Sequence, residues 1–175
     1  MKTRWMALMT VVVLAVLSRW IPHPWNWTAM GAVALFAGAK FERLTMALAV
    51  PLLALFVTDL VLGFHETMVF VYGSFALIAV FGWWQGSRLE GRSVLGASVA
   101  SSLLFYFITN FGMWMMTTMY PPTAAGLMMS YAAGLPFLGN QIVGDLFYSA
   151  MLFGAWSLAE NRFSSLAPAP IRRLN

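Results

Sequence analysis

Along this chain, apolar residues fall into six long runs separated by short polar or charged stretches. The runs are Trp5–Trp20, Thr28–Phe41, Leu44–Gly63, Met68–Gln85, Ser93–Thr117 and Leu138–Leu158. A helix crossing a bilayer upright needs about 20 residues. The first two runs fall short, so flanking residues or packing inside a bundle must complete them. The period-2 alternation of barrel strands is absent, and an open sheet edge has no place in hydrocarbon. The pattern therefore predicts an all-α bundle of six transmembrane helices over residues 1–160. Residues 161–175, with Pro168 and Pro170, read as a polar tail.

Composition agrees with that reading. Of 175 residues, 61% are hydrophobic and 9% charged, whereas a soluble surface is roughly 25–35% charged. The outside must face lipid. A net charge of +4 does not point to nucleic acid, because the basic residues sit in loops between apolar runs. With the N-terminus inside, Lys2, Arg4, Lys40, Arg43, Arg88, Arg92, Arg162, Arg172 and Arg173 fall on the inner side. Arg19 alone falls outside. That asymmetry predicts both termini in the cytoplasm. The charged, then apolar, start resembles a signal peptide, but Val16-x-Ser18 is a weak cleavage site, and a retained first helix is expected. Cysteine is absent, which excludes disulfides and thiolate chemistry. No Ser-His-Asp set, HExxH or phosphate loop is present, so an enzyme is not expected, nor a cofactor or a dedicated metal site.

The polar residues inside the runs are one-sided. Asp59 and Tyr72 fall in outer halves of their spans, as do Asn110 and Asp145. Arg19, His23, Asn26, His65, Glu66, Tyr120, Asn140 and Gln141 join them on that side. The stretch Arg19–Gly38 concentrates the unusual residues, with Pro22 and Pro24 stiffening a polar turn around His23. Ionisable groups in spans face the bundle interior or a wet cavity, so a polar cavity open to the outside is expected. At helical spacing Tyr106, Asn110 and Trp114 share one face, and Gln141, Asp145 and Tyr148 another. Asp59, Asn110 and Asp145 are assigned to its floor, Tyr72, Tyr106 and Trp114 to its walls, and Arg19, His23 and Asn26 to its gate. His65 and Asn140 are further candidates. The segment Met119–Phe137, broken by proline and glycine, is expected as a re-entrant or surface helix over Thr123–Ala133, a lid.

Plainer readings stand beside these. Asp59 and Asp145 pair with Arg19 or cap a broken backbone; Asn110 is interhelical glue; the histidines are solvated; and the tryptophans form interfacial belts. The cluster Met113, Met115, Met116, Met119, Met128 and Met129 suits Cu(I), or simply a flexible pocket. Ala34-x-x-x-Gly38 and Gly82-x-x-x-Gly86 mark close helix contacts, internal or with a partner.

Taken together, R-x-x-P-H-P-x-N at Arg19–Asn26, A-L-F-A-G-A at Ala34–Ala39, Pro51, T-D-L at Thr58–Leu60, V-Y-G-S-F at Val71–Phe75, T-N-F-G-x-W at Thr109–Trp114 and L-P-F-x-G-N at Leu135–Asn140 resemble a bacterial family of small membrane proteins assigned to transport. That family is in turn similar to the substrate-binding S components of energy-coupling-factor vitamin transporters, the solitary cobalamin transporter being the nearest. The resemblance implies six helices, a bacterial inner membrane, and an outward-facing pocket for a vitamin-like solute. It also implies an acid closing the third helix (Asp59) and an aromatic opening the fourth (Tyr72). Two features depart from it. The cobalt-binding cysteine of the cobalamin protein has no counterpart here, and Ala7 and Ala15 are followed four residues on by Val11 and Arg19. The latter breaks the A-x-x-x-A face used to dock an energising module. The expected function is uptake of a small solute. The alternatives are a non-transport scaffold of the cell envelope and copper handling by the methionines.

Overall fold

A computed structural model describes residues 2–20, 22 and 24–163. The gate candidate His23 and the tail from residue 164, including Arg172 and Arg173, lie outside the described residues. The chain forms α1 (Lys2–Leu17), a 3-10 turn (Ser18–Trp20), α2 (Met30–Lys40) and α3 (Leu44–Leu62). α4 (Met68–Gln85), a 3-10 turn (Gly86–Arg88), α5 (Arg92–Met116) and α6 (Ala124–Arg162) follow. Among the described residues there is no strand. α3, α4, α5 and α6 are long and apolar enough to cross a membrane. Lys40, Leu89, Gly91 and Asn161 line one cleft, which places Lys40 and the neighbouring Arg43, Arg88, Arg92 and Arg162 at one end, the basic end. Arg19, Trp25, Asn26 and Trp27 lie at the other, the polar-turn end.

The short α2 is the centre of the bundle. Its 11 residues span roughly 16 Å, about half the hydrocarbon thickness. Every residue from Met30 to Gly38 is buried, because α1, α3, α4, α5 and α6 all pack against it. A helix enclosed by protein on all sides need not match the bilayer, and this is how the second run is accommodated. The contact with α4 is backbone against backbone. A Cβ on Gly38 would lie 2.2 Å from the Ala79 carbonyl oxygen, and one on Gly82 would lie 2.4 Å from that of Leu35. Ala34-x-x-x-Gly38 and Gly82 therefore mark an internal crossing. Gly86 acts differently, ending α4 with its backbone at φ 52°. Around this core, Leu53, Leu60, Val61, Val69, Trp84 and Leu158 are more than half exposed, as expected of side chains that face lipid.

The sixth helix departs from expectation. Residues Ala124–Arg162 form one helix of 39 residues, roughly 58 Å long, where the sequence suggests a lid and then a span from Leu138. Thr123 starts it by accepting the Gly126 N–H at 3.1 Å, as an N-cap does. Pro136 sits inside it and costs one backbone hydrogen bond, which the long contact with α5 offsets. Gly134, which reads as a break, is where α6 meets Asn110: a Cβ there would lie 2.5 Å from Asn110 Oδ1. The helix also runs through Asn161 and Arg162, which the sequence assigns to the tail.

Candidate functional site

At the polar-turn end, one carboxylate ties three elements. Asp59, at 4% exposure, accepts from Arg19 Nη1 at 3.3 Å and from the Tyr72 hydroxyl at 2.8 Å. Arg19 Nη1 also donates to the Thr58 hydroxyl, whose own proton is turned back to the Ala54 and Leu55 carbonyls. The turn after α1, the end of α3 and the start of α4 are thereby fastened by a partly buried ion pair. Removing one partner of such a pair strands a charge, which is far costlier than the pair is stabilising.

The second buried carboxylate, Asp145 on α6, is 2% exposed and held by neutral donors. Ser102 Oγ donates to its Oδ2 at 2.7 Å, and Gln141 and the Ala32 backbone N–H also bond to it. Ala32 lies in the first turn of α2, whose N-cap, Ala29, contributes no side-chain bond. The four leading N–H groups of a helix lack internal partners. An anion placed there meets them and the positive end of the helix dipole. Asp145 is therefore the missing cap of the central helix, supplied from α6. Gly31 makes room for it.

Beside these carboxylates, at the polar-turn end, lie two contiguous cavities. The wider, about 530 Å³, is walled by Trp25, Phe105, Tyr106 and Phe137 and carries Asn26, Thr67, Thr109, Asn110 and Gln141. Met113, Met119 and Tyr120 complete its upper rim. The narrower, about 190 Å³, continues it and is lined by Arg19, Thr28, Gly31 and Asp145 among others. Asn26, Val71, Phe105 and Gln141 line both. Asn26 is held at φ 61° in a turn closed by the Trp27 N–H on the Pro24 carbonyl at 3.0 Å. Asparagine tolerates this left-handed conformation at the third turn position. Trp25 then reaches over the cavity to meet Phe137 edge-on at 6.5 Å.

A family model matches residues 1–168 of the chain. The chain belongs to DUF6580, a family of unknown function. No curated protein and no solved structure matches it.

In this DUF6580 chain the fold brings Arg19, Asn26, Tyr106, Asn110 and Asp145 to the paired cavities. Asp59 and Tyr72 line neither cavity and bond to each other and to Arg19, behind the wall. Trp114 turns its Nε1–H to the Pro121 carbonyl at 3.0 Å, fastening the loop between α5 and α6. His65 is exposed and reaches the site only through Thr67, with which Nδ1 shares a hydrogen bond at 3.0 Å. Asn140 is half-buried and lines neither cavity. Asn110 also braces the helix pair. Its Nδ2 donates to the Tyr106 carbonyl and its own carbonyl accepts from Ser130 Oγ. Of the methionine cluster, Met113 and Met119 line the wider cavity, while Met115, Met116, Met128 and Met129 are largely exposed.

Gln141, Thr67, Thr109 and Ser102 carry more of the site than their sequence context announces. Thr109 sits beside Asn110 and Gln141 one turn before Asp145, which is the available signal. Ser102 has none, because a serine in a helix bonds its own backbone as often as anything else.

Proposed function

We propose that this DUF6580 chain is a membrane substrate-binding protein for transport, which takes a small solute into the cavities beneath the Pro24–Trp27 turn. The observation that carries the reading is the wide cavity itself. It has aromatic walls, three carboxamides (Asn26, Asn110, Gln141) and, among the described residues, no charged side chain, and narrows towards Arg19 and Asp145. Concave, mostly apolar sites with a few placed polar groups suit small molecules. A flat, uncharged, hydrogen-bonding ring system fits this lining best, its faces against Phe105, Tyr106 and Trp25 and its edges on the carboxamides.

The charge asymmetry of the loops supports a cavity mouth on the outer side of a bacterial inner membrane. The resemblance to vitamin-binding S components supports the same function class, with Asp59 closing α3, Tyr72 near the start of α4, and a short second helix. A complete cobalamin is too large for about 530 Å³, so the solute is a smaller vitamin-sized heterocycle. The first helix lacks the A-x-x-x-A face, so capture does not depend on docking to a shared energising module.

Trp25 sits at the mouth, 78% exposed, and reports occupancy. Titration of the purified protein with a panel of vitamin-sized heterocycles is expected to quench its fluorescence saturably with at least one of them. Asn110→Leu is expected to weaken that compound's binding. Saturable quenching that is unchanged in Asn110→Leu and in Gln141→Leu would place binding elsewhere.

A further inference from the structure

Asp145 has a second property beyond capping α2. Among the described residues no cation lies within ion-pair distance of it; the arginine lining its cavity, Arg19, is paired with Asp59. α2 presents only its backbone N–H, its lysine Lys40 standing at the far end. α5 presents Ser102 and, one turn on, Tyr106, whose hydroxyl is engaged by the Tyr131 carbonyl at 2.6 Å. On α6 itself the nearest titratable group is Tyr148. The carboxylate is thus held by neutral hydrogen-bond donors and the positive end of the α2 dipole, with no counter-cation among the described residues.

The same groups can also satisfy the protonated acid. Ser102 Oγ lies 2.7 Å from Asp145 Oδ2 and 3.1 Å from the Ser98 carbonyl. With Asp145 ionised, the serine proton points to the carboxylate. With Asp145 protonated, its new O–H donates to Ser102 Oγ and the serine proton turns to the Ser98 carbonyl. The Ala32 N–H keeps an acceptor in both states, and the Gln141 carboxamide can donate or accept. One proton is gained, one negative charge is lost, and no polar atom is stranded.

The seam between α5 and α6 continues this arrangement towards the basic end. Ser98 lies one turn beyond Ser102, Ser101 is its neighbour in sequence, and Ser149 lies one turn beyond Asp145, all three at most 2% exposed. Ser98 donates to the Val94 carbonyl at 2.9 Å. The Ser101 and Ser149 hydroxyls are buried with no hydrogen-bond partner among the described residues, although such groups are ordinarily satisfied. Beyond them a cleft of about 550 Å³ opens at the basic end, lined by Val94, Ala150, Phe153, Glu90 and Glu160. The hydroxyls therefore stand between the solute cavity and a cleft on the opposite face.

We infer that Asp145 is a reversible proton-binding site, so that solute movement is coupled to protons. The coupling rests on the transport reading above, but the proton site is tested without any solute. Infrared difference spectra of the full chain in lipid vesicles, recorded across a pH series, are expected to contain a carboxylic-acid C=O band that shifts in D2O. The band is lost in Asp145→Asn and moves to higher frequency in Ser102→Ala, which removes its hydrogen bond. A pH difference spectrum that is the same in the wild type and Asp145→Asn overturns the inference and leaves a fixed anionic cap. If Asp145→Asn does not assemble, Ser102→Ala decides, because an unshifted band then belongs to another carboxyl and the inference falls. A titrating Asp145 in a protein that binds no solute upholds the proton site and removes only the transport reading. A solute-binding protein without the band does the reverse.

Discussion

The Cα of Gly31 faces the carboxylate of Asp145 so closely that a Cβ on Gly31 would lie 2.2 Å from Oδ1 and 2.7 Å from Cγ. The carboxylate occupies the volume a side chain would need, and caps the central helix because of it. Gly31→Ala must therefore displace Asp145 from α2, Ser102 or both. A loss of about 1–3 kcal/mol is expected from the overpacking, read as a lower unfolding temperature by tryptophan fluorescence. Gly73→Ala is the control. Nothing lies within 4 Å of its Cβ position in α4, and alanine there should be neutral or stabilising by about 0.5–1 kcal/mol.

Arg19 and Asp59 should show strong non-additivity. Asp59→Leu leaves the partly buried Arg19 without its partner, and Arg19→Met strands the buried Asp59, so Arg19→Met should cost about 3–5 kcal/mol and Asp59→Leu less. The double variant removes both charges and should recover much of that loss. Chemical unfolding of the four proteins in the same detergent gives the coupling energy. Additive losses would mean that the pair contributes nothing as a pair.

The crossing of α2 and α4 tolerates no side chain. Gly82→Ala meets the Leu35 carbonyl at 2.4 Å, and Gly38→Ala meets that of Ala79 at 2.2 Å. Backbone cannot swing aside as a carboxylate can. Both substitutions should therefore lower the yield of monodisperse protein further than Gly31→Ala, measured by size-exclusion chromatography after membrane extraction.

These positions also mark how much the sequence could announce. α3 and α4 begin and end within a residue of the apolar runs Leu44–Gly63 and Met68–Gln85, because charges or glycines bound those runs sharply. The start of α6 is not legible in the same way. Gly126, Gly134 and Pro136 read as punctuation, yet in the bundle Gly134 admits Asn110 and the proline's lost hydrogen bond is carried by the packing around it. One-sided polarity is enough to find the end of the bundle that holds the site. It cannot sort Asp59 from Asp145, because both are acids in outer half-spans. One meets an arginine and a tyrosine across helices and the other a helix N-terminus, and periodicity within a helix carries no information about which neighbour it faces.

The paired cavities should close when their shared wall is enlarged. Val71 lines both and is half-buried, so Val71→Trp should fill the passage while the ion pair and the α2 cap stay in place. Solute binding is expected to be abolished with little change in unfolding temperature. Met113→Leu combined with Met119→Leu keeps volume and apolarity. It should alter affinity by less than about 1.5 kcal/mol, whereas a binding mode through thioether coordination would be lost.

Native mass spectrometry of the protein extracted gently from its own membrane tests the central claim most directly, with Val71→Trp run in parallel. A non-lipid small molecule is predicted to leave the wild-type protein on activation and to be absent from Val71→Trp. A wild-type protein that carries no small molecule, and is instead recovered with a stoichiometric protein partner, would contradict the transport account and favour a scaffold of the cell envelope.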